Sequence, residues 1–309
     1  MMVIRRCRYC PRLRYGLVCV ALVVLLAAPA AAQNGDGELI QSISHRARAL
    51  HPGEVVVLNV RIDGPTRSLT GSAFGKDLHF FPAGPANVSS ALIGVDLTVD
   101  AGAHPVTVRA EGAGGNVDER TYTLEVEPKQ FPTRELTVNP SFVDPPAEVI
   151  ERIQREARQL AAIFPVASPE RLWSGGFLRP VPGAATSAFG RRSVFNGQPR
   201  SPHSGADFRA AEGTPIRAPN DGVVVLAADL YFSGNVVILD HGWGLYSYFA
   251  HLSAIDVAEG DSVSQGETVG KVGATGRVTG PHLHWTVRLN DARVDPVALM
   301  ELFPAAGAR

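Results

Sequence analysis

His282 and His284 stand one residue apart in Thr279-Gly280-Pro281-His282-Leu283-His284-Trp285, at the head of an apolar run. Alternate side chains of a strand project from one face, so the two imidazoles would serve a single site, as metal ligands or as a pair of acid/base groups. Two half-buried, hydrogen-bonded histidines beside Trp285 would leave the same trace, so the rest of the chain must decide. Upstream, His203 and Asp207 are four apart in Pro202-His203-Ser204-Gly205-Ala206-Asp207. The proline and glycine argue for a loop, with Gly205 letting the backbone fold back so that both side chains converge. His203, Asp207 and one histidine of the later pair make two imidazoles and a carboxylate. That is the composition of a catalytic zinc centre, with three protein ligands and a fourth position open to water. An ordinary surface pair is the competing reading of His203 with Asp207 taken alone, but five of the nine histidines fall between positions 203 and 284.

No thiolate competes for such an ion. Cys7, Cys10 and Cys19 all lie in an N-terminal segment where Arg5, Arg6, Arg8, Arg12 and Arg14 precede an apolar run from Gly16 to Ala28, followed by Pro29 and Ala30-Ala31-Ala32. A basic region, a short apolar core and an A-x-A site are the parts of a secretory signal peptide, expected over residues 1–32. The run is shorter than the roughly 20 residues that span a bilayer, so export is expected without stable membrane insertion after cleavage. The mature chain, free of cysteine, forms no disulfide. It keeps 24 basic residues against 30 acidic ones, a net charge near −6. Nothing in that balance favours nucleic acid or an anionic membrane as a partner.

The elements that must position the histidines read as mainly β. Short alternating runs separated by Gly, Pro, Asn and Asp clusters predict an immunoglobulin-like β-sandwich over residues 38–128. Its four histidines, His45, His51, His79 and His104, share no spacing and read as structural. Residues 129–182 form a linker holding one amphipathic helix at 145–164, with Asp144 as N-cap and Pro165 as its stop. Residues 183–303 return to turn-rich strands. Ala211-Glu212-Gly213-Thr214-Pro215-Ile216 echoes Ala258-Glu259-Gly260-Asp261-Ser262-Val263, which suggests a duplicated β unit with a carrier-domain rhythm. A lipoyl or biotinyl carrier would need a modifiable lysine at a hairpin tip, and Lys271 lies at the end of a strand instead.

H-x-x-x-D at 203–207, Tyr248-Phe249-Ala250-His251-Leu252-Ser253, and Gly280-Pro281-His282-Leu283-His284 occur in the order and spacing of the lysostaphin-type (LytM-like) zinc metallopeptidases. Ser187-Ala188-Phe189-Gly190, Gly213-Thr214-Pro215-Ile216 and Gly273-Ala274-Thr275-Gly276 extend the resemblance over roughly residues 185–297. It implies that His203, Asp207 and His284 bind one Zn2+ per chain and that His251 and His282 are the catalytic pair beside it. It also implies a groove-shaped antiparallel sheet of duplicated hybrid-motif type. Phe249 departs from a tyrosine common at that place in the family. His241, before a glycine turn, reads as structural. Along 245–250, alternation puts Tyr246, Tyr248 and Ala250 on one face and Phe249 with His251 on the other, so either face can line the groove. Arg191-Arg192 and Asn196-Gly197 read as solvated loop.

With the export signal, the resemblance implies an endopeptidase acting on peptide crosslinks of bacterial peptidoglycan, periplasmic or wall-associated. The sequence does not choose between glycine bridges and crosslinks of D-alanine with a diamino acid. No H-E-x-x-H helix supplies a glutamate base, so a histidine must take the proton of the attacking water. Activity is therefore expected to fade below about pH 6, where unperturbed imidazoles gain charge. The alternative is a non-catalytic wall-binding or regulatory module of the same fold, disfavoured because all three ligands and both further histidines are present. A regulatory partner is not legible in the sequence.

Overall fold

The computed structural model describes residues 38–137, 143–187 and 189–305. The signal peptide expected at 1–32 lies outside them. Eight strands come first: β1 (Ile40–Ala47), β2 (Val55–Ile62), β3 (Thr66–Ala73), β4 (Lys76–Asp77), β5 (Phe80–Pro82), β6 (Val88–Gly94), β7 (Gly102–Gly112) and β8 (Val117–Val126). They form two antiparallel sheets, β1-β2-β6-β5 and β4-β3-β7-β8, that share one core of Leu58, Val60, Ile93, Val106, Val108 and Leu124. The run Val55-Val56-Val57-Leu58 in β2 is apolar without alternation because both of its faces are covered. Val56 and Leu58 point into that core, while Val55 and Val57 join Phe81, Leu92, Trp173 and Phe177 in the core of the C-terminal half.

A short strand β9 (Thr133–Leu136) and a helix α1 (Ala147–Ile163) follow. The helix starts later than the sequence suggests. Its N-cap is Pro146, with no side-chain cap, rather than Asp144. A proline drives the residue before it out of helical conformation, so Pro146 keeps Pro145 extended and Asp144 stands too far back to cap. At the other end, Leu160, Ile163 and the C-cap residue Phe164 pack on Leu226, Leu230, Ile238 and Tyr246.

The remaining strands are β10 (Ala185–Ser187), β11 (Arg192–Phe195), β12 (Gln198–Pro199), β13 (Gly205–Phe208), β14 (Pro215–Arg217), β15 (Gly222–Leu230), β16 (Gly234–Asp240), β17 (Leu245–Ile255), β18 (Ser262–Val263), β19 (Thr268–Val272), β20 (Leu283–Leu289) and β21 (Ala292–Val294), closed by α2 (Pro296–Leu302). The main sheet runs β10-β13-β20-β17-β16-β15-β18, with β14, β19 and β21 paired onto it. Alternation along β20 sends Leu283, Trp285, Val287 and Leu289 into the core and leaves His284, Thr286 and Arg288 on the opposite face. The two echoing hexapeptides fold alike. Gly213 (φ +83°) and Gly260 (φ +90°) close turns in which Thr214 N donates to Ala211 O and Asp261 N to Ala258 O, and each feeds a short strand with one buried residue, Ile216 or Val263. Lys271 lies within β19. Arg192 and Asn196-Gly197, expected in open loop, belong to a hairpin: Asn196 (φ +50°) and Gly197 (φ +80°) turn β11 into β12, and β9 pairs with β11 in parallel. Among the described residues, no helix is long and apolar enough to cross a membrane.

Candidate metal centre

Asp207 on β13 lies directly across from His284 on β20 in the antiparallel register. The segment holding Asp207 is thus a strand, not the loop its glycine suggested. Gly205 has another purpose: a Cβ there would strike the Trp285 carbonyl and the Thr286 hydroxyl, so glycine lets the two strands close. His203 precedes the strand, its backbone pinned by its own N–H donating to Arg191 O (2.9 Å) and its carbonyl accepting from Gly190 N (2.8 Å).

These three side chains meet. His203 Nε2 lies 3.0 Å from Asp207 Oδ1 and 3.0 Å from His284 Nδ1, and His284 Nδ1 lies 2.9 Å from the same carboxylate oxygen. His284 Nε2 is 2.9 Å from Thr286 Oγ1. With that hydroxyl accepting from Nε2–H, Nδ1 presents a lone pair toward a carboxylate oxygen and toward the second imidazole nitrogen. Protons cannot satisfy three mutually adjacent atoms with good angles, whereas a cation at their centre can. Tetrahedral ligands about 2.0–2.1 Å from an ion are themselves about 3.3 Å apart, close to the spacing seen. The protonation states also suit an ion. Burial pushes the Asp207 carboxyl up, but the adjacent His203 and His284 imidazoles outweigh it and hold the group well below the usual carboxylate range. Burial, against the pull of Asp207, keeps His284 neutral by lowering its pKa.

His282 and His251 complete the floor. Their ring centroids are 5.1 Å apart, and His282 Nε2 is 3.8 Å from Asp207 Oδ1. Each has its Nδ1 2.9 Å from a backbone carbonyl, Thr275 O for His251 and Gly280 O for His282. A carbonyl only accepts, so Nδ1 carries the proton in both rings and Nε2 is left as the basic nitrogen. Burial, then the nearby His284 and His282, lowers His251 to about 4. This ring therefore stays neutral well below the pH 6 anticipated for an unperturbed imidazole.

His251 reaches the groove against the alternation of its strand. On β17, Phe249 is in the core, stacked on Trp285, while Tyr248 and Ala250 line the groove. Strict alternation would send His251 to the core with Phe249. Instead the register slips, so that Ala250 and His251 together oppose Val236, and His251 takes φ +69°. This β-bulge turns the imidazole back to the groove, at the cost of a backbone conformation rare outside glycine. The missing tyrosine hydroxyl at Phe249 is immaterial to the groove, since that ring is buried in the sheet's other face. His241 is fully buried, with Nδ1 2.7 Å from Asp221 O and Nε2 2.9 Å from Ser247 Oγ, away from the cluster.

The four site histidines and Asp207 line a groove of about 490 Å³ whose walls include Phe195, Phe232, Ser233, Arg277 and Thr286. None of these five stood out in the sequence, because each belongs to a turn or strand whose pattern has an ordinary structural explanation. This combination defines a class: a groove-forming antiparallel sheet that holds a His-Asp-His donor set beside two further imidazoles.

Comparison with known proteins gives that class a family. Residues 201–296 match the signature of peptidase family M23. A crystal structure from Pseudomonas aeruginosa described as a peptidase M23 is 33% identical, covers 85% of this chain and 97% of its own, and superposes with a TM-score of 0.64. The chain belongs to peptidase family M23. It is also 46% identical over 97 residues to the DD-carboxypeptidase/endopeptidase Mpg of Neisseria meningitidis serogroup B, which is 31% of this chain and 22% of that protein. Over 85 residues it is 46% identical to the peptidoglycan DD-endopeptidase ShyA of Vibrio cholerae serotype O1, 28% of this chain and 20% of that protein. The chain thus spans about a fifth of the length of these curated relatives.

Proposed function

We propose that the protein is a zinc-dependent endopeptidase that hydrolyses peptide crosslinks of bacterial peptidoglycan. The observation that carries this reading is the mutual 2.9–3.0 Å approach of His203 Nε2, Asp207 Oδ1 and His284 Nδ1 in the floor of an open groove. Family membership and the names of the matched relatives support the substrate. His203, Asp207 and His284 would hold the ion. Zinc bound there would supply Lewis-acid polarisation of the scissile carbonyl and acidify the attacking water. His251 and His282 do the proton work. With Nδ1–H tied to a carbonyl in each, Nε2 of one ring takes the water's proton, and a protonated ring stabilises the developing oxyanion and then donates to the leaving amine. The half-buried carboxylate of Asp207 keeps compensating negative charge beside them.

In this reading the N-terminal leader directs export, and the protein works in the periplasm or at the wall. The first two sheets form an immunoglobulin-like domain over 38–128, joined by a helical linker to the peptidase domain of 183–303. The N-terminal domain and the helix position the groove at the wall or partly cover it. Incubating zinc-loaded mature protein with purified sacculi tests the whole reading. New peptide amino termini that are absent with His284→Ala are expected. Binding to sacculi without release of peptide ends would instead make the protein a wall-binding module.

A further inference from the structure

Two hairpins from different sheets border a cavity of about 310 Å³. One joins β3 to β4 through Phe74 (φ +51°) and Gly75 (φ +71°), and the other joins β20 to β21 through Asn290 (φ +50°) and Asp291 (φ +68°). Both are two-residue loops that need positive φ at each central position, which glycine, asparagine and aspartate accept readily. Phenylalanine does not. Among the described residues, three of the six non-glycine positions with positive φ, Phe74, Asn290 and Asp291, line this one cavity. Asn290 and Asp291 suit their turn, so Phe74 is the outlier, a bulky residue kept in a strained conformation where its ring lines the cavity.

The lining also includes four buried apolar side chains, Ala73, Leu78, Ile93 and Leu289. Its charged side chains are Lys76, Arg288, Arg293, Asp96 and Asp291, one positive charge in excess. Arg293 and Asp96 satisfy each other, with Nη2 donating to Oδ1 at 2.6 Å and Nε to Oδ2 at 3.0 Å, which fixes β21 against the segment after β6. Arg288 is less well served. Its Nη1 donates to Asp291 O at 2.8 Å, but its buried Nε has no hydrogen-bond partner, and the Asp291 carboxylate stands 3.6 Å from Nη1, beyond hydrogen-bond reach. The exposed Lys76 side chain makes neither a hydrogen bond nor an ion pair among the described residues.

An orphaned donor on a half-buried cation, a free ammonium in the same wall and an aromatic ring held at positive φ describe a site for an organic anion. The excess of one positive charge matches a carboxylate better than a doubly charged phosphate. At about 310 Å³ the cavity is at the small end of ligand sites, so the body of the ligand is compact. We propose that this cavity binds a small carboxylate with an apolar, single-ring body, the carboxylate accepting from Arg288 and Lys76 and the ring packing on Phe74. The site is separate from the His203, Asp207 and His284 centre, sharing only Arg288 with the groove wall, and it does not rest on the endopeptidase reading.

The probe is 3-phenylpropanoate, titrated calorimetrically into the zinc-loaded full chain beside 3-phenylpropanamide, which lacks the charge. A hydrogen bond to a charged group is worth roughly tenfold to hundredfold in a dissociation constant, and a preference for the acid of that size is expected. Arg288→Gln and Lys76→Gln should each reduce the ratio, and the double variant should bring it close to one. Phe74→Asn, better suited to the turn, should weaken both probes about equally. Zinc itself binds carboxylates, so two further variants locate the event. His284→Ala should leave binding of 3-phenylpropanoate unchanged, whereas Val99→Trp, which puts a bulky ring into the cavity, should abolish it. Binding that survives Val99→Trp and disappears with His284→Ala belongs to the metal and overturns the inference, as does no measurable binding of the acid or an acid-to-amide ratio of one. Should Val99→Trp fail to fold, Lys76→Gln at its exposed position decides: an unchanged ratio there overturns the inference.

Discussion

Thr275 links the two loops that frame the site: its carbonyl oxygen lies 2.9 Å from His251 Nδ1, and its Oγ1 accepts from Asn235 N at 3.0 Å. The orientation of His251 therefore depends on the crossing of Gly276 with Gly234. Gly276→Ala places a Cβ against the Gly234 and Phe232 backbones and asks alanine to hold φ +74°. The loop must shift, and it carries the Thr275 carbonyl with it. Misplacing a reacting group by an ångström costs about 100-fold in rate. A fall of that order in kcat/KM is expected, with zinc stoichiometry preserved because none of the three ligands lies in the loop. Loss of zinc in parallel with activity would show that the loop supports the ligands rather than His251.

Zinc should stabilise the folded chain through His203, Asp207 and His284 together. Without an ion, Asp207 Oδ1 and His284 Nδ1 face each other at 2.9 Å with His203 Nε2 3.0 Å from both. An ion bound only by the folded state adds about 4 kcal/mol at a free concentration a thousand times Kd. Thermal unfolding with and without zinc should show an upward shift that a chelator reverses and that His203→Ala or His284→Ala removes. A shift of equal size in either variant would place the ion elsewhere.

Much of this site was legible because its ligand types are rare and strongly spaced. His282 and His284, with His203 and Asp207, stand out in a chain whose other histidines share no pattern, and the strand at 283–289 follows directly from its alternation. What escaped was local departure from regularity. Counting by twos sends His251 to the wrong face, because a bulge leaves no signature except a residue willing to take positive φ. Gly205 reads as the glycine of a loop that folds back, whereas it is needed for the approach of Trp285, and close approach between distant segments is invisible until they pair. Val55 and Val57 alternate with Val56 and Leu58 along one apolar run, and nothing in that run shows that the first two pack with Trp173 and Phe177 instead.

His241 predicts an acid limit on stability that is separate from catalysis. It is fully buried, and burial lowers its pKa despite the Asp221 carbonyl and the charge of Asp240. Below about 6.5 the unfolded chain takes up a proton that the folded chain refuses, so folding stability falls as pH drops through that value. The loss ends only when the folded group titrates in turn. Its slope approaches about 1.4 kcal/mol per pH unit for this one group. Urea unfolding of metal-free protein at pH 7.5, 6.5 and 5.5 should show the decline, and His241→Gln should make it shallower by this one group's share, leaving the shares of His251 and His284, while lowering stability at every pH. An unchanged slope in that variant would assign the decline to other groups.

Arg48 joins the first sheet to the N-terminus of α2, and its removal should leave a buried charge behind. Its Nη2 donates to Glu54 Oε1 at 2.7 Å and to Asp295 Oδ2 at 2.7 Å, while Asp295 caps α2 by accepting from Val297 N and donates its own N–H to Gly53 O. Glu54 is only 1% exposed, and its other cationic neighbour, Lys129 Nζ, is 3.5 Å away. Removing one partner of a buried ion pair costs about 3–5 kcal/mol. Arg48 keeps some contact with water, which argues for the lower end of that range. Arg48→Ala should therefore cost about 3 kcal/mol in urea unfolding. Adding Glu54→Gln should recover part of the loss, because the orphaned charge is the source of the penalty. If the double variant is no more stable than Arg48→Ala, the cost comes from lost packing of the arginine stem and not from the carboxylate.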